Sequence, residues 1–139
     1  SSILYIETLA QAGQVAPAYC TGVGKVILVF MNEESRNLAI QQQAFHSYTD
    51  ATYTDAKTLE VELSAIHKDG VAYDREEHQS GIISIAAPIL TARKRVIGAV
   101  SIATSTSCHS LDGLEAFRPI LLETAAKIGT EAQSWRSPI

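Results

Sequence analysis

The sequence predicts an α+β domain in which helices pack on an antiparallel sheet. Three strand-like runs follow one another closely in the second half of the chain, and stretches of helical periodicity lie before and after them. The 139 residues, 46% of them hydrophobic, suit a single hydrophobic core of ordinary size. We therefore expect one domain over residues 1–139 rather than two.

Three helices are expected in the first half of the chain. A short amphipathic helix begins at Gly22, where apolar residues start to recur at three- and four-residue spacing. A second helix is predicted over residues 32–42, with acidic residues in its first turn, where the helix dipole favours them. Thr54 is the expected N-cap of a third helix, and Gly70 is its expected left-handed stop.

The strands are predicted from β-branched and aromatic enrichment and from alternation of apolar and polar residues. Pro17 confines one of them to a sheet edge. The last two strands form a hairpin through the basic segment 91–95, and Ser110 then opens one long helix that continues to Trp135. The predicted strands are residues 3–8, 14–19, 71–77, 82–90 and 96–104.

Alternation in the two hairpin strands separates a bulky sheet face from a small one, since residues two apart share a face. Protein interiors are densely packed, so a buried face of small residues leaves volume for another group to fill. A ligand is one candidate; a closely approaching helix backbone and open solvent are the others. The bulky face carries Ile83, Ile85, Ile89, Val100 and Ile102, and the small face carries Ile82, Ser84, Ala86, Ala99, Ser101 and Ala103.

Polar groups near the small face favour a small carboxylate as the ligand. Ser84 and Ser101 offer hydroxyls, and the glycine-rich helix start at Gly22 and Val23 offers free backbone N–H groups that attract an anion. Asp74 is the acceptor expected to contact a ligand hydroxyl. Replacing either serine by Leu is expected to abolish the response to ligand while the domain stays folded.

Other chemistry is weighed against simpler explanations. Asp74, Glu76 and His78 alternate along a predicted strand and imitate a metal cluster, but a solvated polar rim is the expected explanation, so no metal or other cofactor is predicted. Cys20, beside a helix start, has the chemistry of a nucleophile, whereas a buried structural cysteine is the more common case.

The charge and the cysteine content limit which partners and which cellular compartment we expect for this chain. Eleven Lys and Arg against 15 Asp and Glu give a net charge of −4, which lacks the basic footprint of a DNA-binding surface. Cys20 and Cys108 form no ligand spacing or disulfide framework, and no apolar run reaches the length of a membrane span. We expect a cytoplasmic domain without membrane contact, and the abrupt strand-like opening suggests a fragment of a longer protein.

Four blocks of sequence, taken in order, resemble the effector-binding domain of IclR-type transcription regulators. The resemblance extends from about Ile3 to the final helix, and the order and spacing of the blocks make it far more specific than any one of them. The blocks are AYCTGVGKVIL over residues 18–28, GVAYDREE over 70–77, GIISIAAPI over 81–89 and VIGAVSI over 96–102.

The resemblance implies a GAF-like sheet with helices on both sides, following an amino-terminal winged helix-turn-helix domain that this chain lacks. It implies a regulator, usually a repressor of a catabolic operon, that senses a small organic, sugar-derived or aromatic acid and assembles as a homodimer or homotetramer. DNA is contacted only through the absent domain. The pocket positions carried over are Gly22, Val23, Asp74, Ile82, Ser84 and Ser101.

The sequence departs from the family pattern at three places. Ser84 replaces a cysteine found in many members, and Ala103 replaces a second serine, so the polar contacts to the ligand are expected to differ. The stretch between Leu9 and Gln14 is also shorter than the pattern. Two other functions stay open: an enzyme that uses Cys20, and a purely structural oligomerisation module.

Overall fold

The computed structural model describes residues 3–8 and 17–134. Within them four strands form one antiparallel sheet in the order β1-β4-β3-β2. The strands are β1 (Ile3–Thr8), β2 (Ala72–Arg75), β3 (Ile82–Leu90) and β4 (Val96–Ser105). The helices are α1 (Gly22–Phe30), α2 (Glu33–Gln41), α3 (Ala56–Asp69), α4 (Leu111–Glu115) and α5 (Arg118–Ser134). The predicted fold class is confirmed.

Helices cover both faces of the sheet. The bulky face, including Ile85 and Val100, packs against α4 and α5 to form one core cluster. On the small face, Ala72, Ala86 and Ala99 pack against α1, behind which lie α2 and α3. The division into a bulky and a small face follows the predicted alternation, because cross-strand partners such as Ser84 and Ala103 point the same way.

The strand predicted over residues 71–77 is shorter in the structure. Only Ala72–Arg75 pairs with β3, because the Asp74 side chain accepts a hydrogen bond of 2.8 Å from the Glu77 N–H and turns the chain. Glu76 at this turn has a φ of 59°. The prediction that Asp74, Glu76 and His78 alternate along one strand was therefore wrong. The segment is also not the solvated polar rim that was expected, since Asp74 is 6% exposed and the neighbouring Glu77 is 1% exposed.

The third helix begins one residue later than expected. The Asp55 carboxylate, not Thr54, accepts the capping hydrogen bond from the Thr58 N–H at 2.8 Å. Both residue types are good N-caps, so the sequence alone does not separate them. Gly70 ends this helix with a φ of 86°, as predicted.

The long final helix is divided into two. The Ser110 hydroxyl caps α4 by accepting a hydrogen bond from the Gly113 N–H. After α4 the backbone forms a tighter turn, because the Phe117 N–H donates to the carbonyl of Leu114, three residues earlier. Pro119, which has no N–H, allows a new helix to start but cannot continue the earlier one. Trp135 lies outside the described residues.

The region before α1 is only partly described. Residues 17–19 are not in a strand, so that part of the strand predicted over 14–19 was wrong. Residues 14–16, and the shortened stretch between Leu9 and Gln14, lie outside the described residues. No helix in the described ranges is long and apolar enough to cross a bilayer.

Candidate functional site

Strand pairing brings three of the predicted site residues onto the face covered by α1. Asp74 pairs with Ser84 across β2 and β3, and Ser101 lies one row further along, opposite Ala86. All three are nearly buried: the exposed fractions are 6% for Asp74, 8% for Ser84 and 5% for Ser101. The face is thus lined by small and polar groups that bulk water hardly reaches.

The start of α1 provides two unused backbone donors. Thr21 is its N-cap: the hydroxyl accepts from the Gly24 N–H at 3.0 Å, and the Thr21 carbonyl accepts from the Lys25 N–H at 2.9 Å. The N–H groups of Gly22 and Val23 donate no hydrogen bond among the described residues. Unsatisfied donors at a helix start favour an anionic or carbonyl oxygen.

The backbone of α1 approaches the small face closely at Gly22. A Cβ atom placed there would lie 3.0 Å from the Ser84 hydroxyl oxygen and 3.3 Å from the Ala86 Cβ. The helix itself therefore fills the space over this part of the face, which is one of the two alternatives to a ligand. The same contact places Gly22, which carries one of the two free N–H groups of α1, beside the Ser84 hydroxyl.

The two serine hydroxyls have no hydrogen-bond partner among the described residues. Neither oxygen is among the fully enclosed polar atoms that lack a partner in the described part of the chain, so both hydroxyls keep some access from outside the fold. Ile82 and Val23, the two apolar residues predicted for the pocket, are both half-buried and flank the polar ones.

Asp74 is already engaged within its own turn. One of its oxygens holds the Glu77 N–H, which is a structural role that the sequence analysis did not anticipate. Burial raises the pKa of the Asp74 carboxyl above its ordinary range, against the opposing effect of that hydrogen bond. Any hydroxyl of a ligand would share the carboxylate with the turn.

A buried ion network next to the site was missed at the sequence level. Lys25, 0% exposed, donates to Glu62 at 2.8 Å, to Glu77 at 2.9 Å and to the Tyr73 carbonyl at 2.6 Å. Burial raises the pKa of Glu77, and the neighbouring ammonium opposes the rise. The available signal was a single lysine in a helix that is otherwise apolar almost all round.

Cys20 lacks the properties of a nucleophile. It is fully buried, and burial, reinforced by the nearby Asp74, raises the pKa of its thiol to about 12. A thiolate is the reactive form, so burial disfavours the reactive form of this cysteine at neutral pH. The described residues also contain no cluster of three or more His, Cys, Asp or Glu side chains able to hold a metal ion.

A separate cavity of about 1060 Å³ lies between the carboxyl end of α1, α2 and α3. Its floor includes Val29, Ile40 and Leu63, and its rim carries both cations and acids, among them Arg36 and Glu60. It contains none of the six predicted site residues.

Comparison with known proteins identifies the family to which this domain is similar. The profile of the family described as bacterial transcriptional regulator IclR C-terminal matches residues 2–130. The DNA-binding transcriptional repressor YiaJ of Escherichia coli (strain K12) is 34% identical over 128 residues, covering 91% of this chain and 45% of YiaJ. The chain spans less than half the length of the curated relatives it matches.

Solved structures agree with the family match. A double mutant of the PobR inducer-binding domain from Acinetobacter, in complex with 3-hydroxybenzoic acid, is 25% identical and aligns over 92% of this chain and 87% of that chain with a TM-score of 0.79. The C-terminal domain of Escherichia coli KdgR, at 23% identity, shows the same fold over 93% of this chain and 85% of that chain, with a TM-score of 0.82.

These matches confirm the resemblance that the four sequence blocks suggested, and the relatives are transcription regulators rather than enzymes. The chain is therefore a member of the IclR family, corresponding to the C-terminal domain of these bacterial transcriptional regulators.

Proposed function

We propose that this domain senses a small carboxylate for an IclR-type repressor, and that the ligand binds where α1 starts. The observation that carries the proposal is the contact between Gly22 and Ser84. It brings a helix start with free Gly22 and Val23 N–H groups onto the sheet face that carries Ser84 and Ser101, whose hydroxyls lack partners among the described residues. Together they offer four donors to an anion.

The charges around the site favour recognition by neutral donors rather than by a cation. Lys25 is the nearest lysine in sequence to the two N–H groups of α1, and three protein acceptors already surround its ammonium. Hydrogen bonds to a charged group contribute about 1.5–3 kcal/mol each, so three or four of them suffice for micromolar to millimolar affinity in a small ligand. A ligand hydroxyl would donate to Asp74, whose carboxylate also accepts the Glu77 N–H.

The apolar contacts limit the shape of the ligand. Val23 and Ile82 flank the donors, and the half-buried Ala103, which pairs with Ser84, adds only a methyl group to the same face. An aromatic or short sugar-derived acid with a hydroxyl fits this combination of groups. The 3-hydroxybenzoic acid complex of the PobR domain supports the choice, since that molecule carries one carboxylate and one hydroxyl.

For the whole protein we propose a cytoplasmic homodimer or homotetramer that contacts DNA through an amino-terminal winged helix-turn-helix domain outside this chain. The name of YiaJ, a DNA-binding transcriptional repressor, supports repression. The ligand changes DNA affinity only if its contacts differ between two quaternary arrangements of the protein. The coupling free energy between ligand binding and DNA binding is then typically about 1–3 kcal/mol. Control of a catabolic operon is part of the same proposal.

A thermal-shift screen tests the site. The chain is heated with a library of aromatic, keto and sugar acids that includes 3-hydroxybenzoate, and a carboxylate is expected to raise the melting temperature. Ser84→Ala and Ser101→Ala should each weaken that ligand about tenfold or more, because each removes a charge-assisted bond. Thr130→Ala, which removes an exposed hydroxyl on α5, is the matched control and should bind normally.

Amide chemical shifts locate the bound ligand. We expect the hit to perturb Gly22 and Val23. Perturbation centred on Val29 and Leu63 would move the site to the separate cavity, and a library without any hit would contradict the proposal.

A further inference from the structure

We propose that Lys25 is a positioning residue of the effector site: its buried ammonium holds the start of α1 and the Asp74 turn in one fixed arrangement. The inference rests on the function proposed above. It concerns a residue that, by its contacts, has no direct access to the ligand, since its ammonium is 0% exposed and surrounded by protein acceptors.

The first step is the placement of Lys25 on α1. It lies one turn after Gly22, so the helix carries the ammonium and the free N–H groups as one rigid body. The side chain reaches away from the helix to Glu62 on α3 at 2.8 Å, which ties α1 to the helix behind it.

The second step is the turn that follows β2. The ammonium donates to the Tyr73 carbonyl and to the Glu77 carboxylate, and that carboxylate also accepts from the Arg75 N–H at 3.2 Å. The Glu77 N–H in turn donates to Asp74. The orientation of Asp74 is thus set by a turn built around Lys25.

The third step concerns why the arrangement is rigid. A buried charge that loses its partner is strongly unfavourable, so Lys25, Glu62 and Glu77 move together or not at all. Both halves of the proposed site, the N–H groups of Gly22 and Val23 and the carboxylate of Asp74, are therefore held at a fixed separation by one side chain.

The experiment removes the charge together with a partner. Lys25→Met alone leaves the buried Glu77 carboxylate without its ammonium, which would destabilise the fold. The test variant is therefore Lys25→Met/Glu77→Gln, in which both groups are replaced by neutral ones of similar size. Arg118→Met is the control, because it removes a cation from an ion network with Asp69 and Glu115 away from the site.

Two readouts separate positioning from mere stability. In the ligand-free protein, hydrogen exchange of the backbone amide at position 77, corrected for the intrinsic rate of the residue there, should accelerate at least tenfold in the double variant and stay unchanged in Arg118→Met. In binding, the preference for 3-hydroxybenzoate over 3-hydroxybenzamide should fall at least fivefold, since misplaced N–H groups no longer favour a carboxylate. General destabilisation would reduce the binding of both probes equally.

The outcomes distinguish this inference from the proposed function. Unchanged exchange of the backbone amide at position 77 in a folded double variant overturns the positioning role, whether or not any ligand is found. If the unmodified chain binds neither 3-hydroxybenzoate nor any other acid in the library, the proposed function fails, and the exchange measurement still decides whether Lys25 holds the turn. Faster exchange with an unchanged carboxylate preference also overturns the inference.

Discussion

Gly22 of α1 and Ser84 of β3 lie in direct contact: a Cβ atom on the glycine would be 3.0 Å from the serine hydroxyl oxygen. This contact brings the open end of α1 onto the small face of the sheet. The close approach is possible because Gly22 has no side chain and the side chain of Ser84 is small.

The contact changes the expected effect of enlarging Ser84. Ser84→Leu should collide with the α1 backbone and destabilise the fold by about 1–3 kcal/mol, as overpacked cores do. The earlier expectation of a folded but unresponsive Ser84→Leu variant is thus revised. Urea unfolding measures the loss, with Ser84→Ala as the matched variant that should stay within about 1 kcal/mol of the parent chain. Equal stability of the Leu and Ala variants would show that α1 moves aside.

Cys20 should resist alkylation in the folded chain. Burial raises the pKa of its thiol to about 12, whereas Cys108 is exposed and its pKa is lowered, chiefly by hydrogen bonding to Ser105. Iodoacetamide at neutral pH should therefore label Cys108 first, as followed by intact mass. In Cys108→Ser the native protein should stay unlabelled until denaturant is added, and rapid stoichiometric labelling of that variant would revive the nucleophile hypothesis.

The Asp55 cap of α3 should make the stability of the folded chain depend on pH. The hydrogen bond from the Thr58 N–H lowers the pKa of Asp55 below its ordinary 3.8. A carboxyl with a depressed pKa stabilises the folded chain above its ordinary pKa, and this contribution is lost as the pH falls through the lowered value. Asp55→Ala should thus lower the melting temperature at neutral pH, and the difference should shrink below pH 3.8.

Thr54→Ala is the matched control for the cap. Because Thr54 is not the capping residue, this variant should melt with the parent chain at every pH. A larger loss in Thr54→Ala than in Asp55→Ala would contradict the observed cap.

Gly129 should tolerate no side chain. A Cβ there would overlap the Leu90 carbonyl oxygen, so Gly129→Ala must push α5 away from β3. We expect a loss of about 2 kcal/mol or more in the free energy of unfolding, measured in urea. Gly113→Ala is the control, because a Cβ at Gly113 meets no atom closer than 3.6 Å, and that variant should be neutral or slightly more stable. A neutral Gly129→Ala would mean that α5 repacks freely.

Local pattern was sufficient for much of the fold. The hairpin strands β3 and β4, the stop at Gly70 and the division into a bulky and a small sheet face follow from alternation and turn chemistry, which act over a few residues. The family assignment came from the order of four short blocks, which the comparisons confirmed. The N-cap at Asp55 was not predicted because Thr54 and Asp55 satisfy the same capping rule. The break before Arg118 was not predicted because two consecutive helices show the same apolar spacing as one long helix.

The sequence by itself determined the α+β class, the family and the set of small and polar residues from which a site could be built. Only the tertiary structure decided that α1 rests on Ser84, that Asp74 closes a turn and that Lys25 is buried between Glu62 and Glu77. The physical reason is the distance along the sequence between interacting residues. Alternation and capping depend on neighbours a few residues away. The partners of Lys25 lie 37 to 52 residues further along the chain and contact it only when the elements pack.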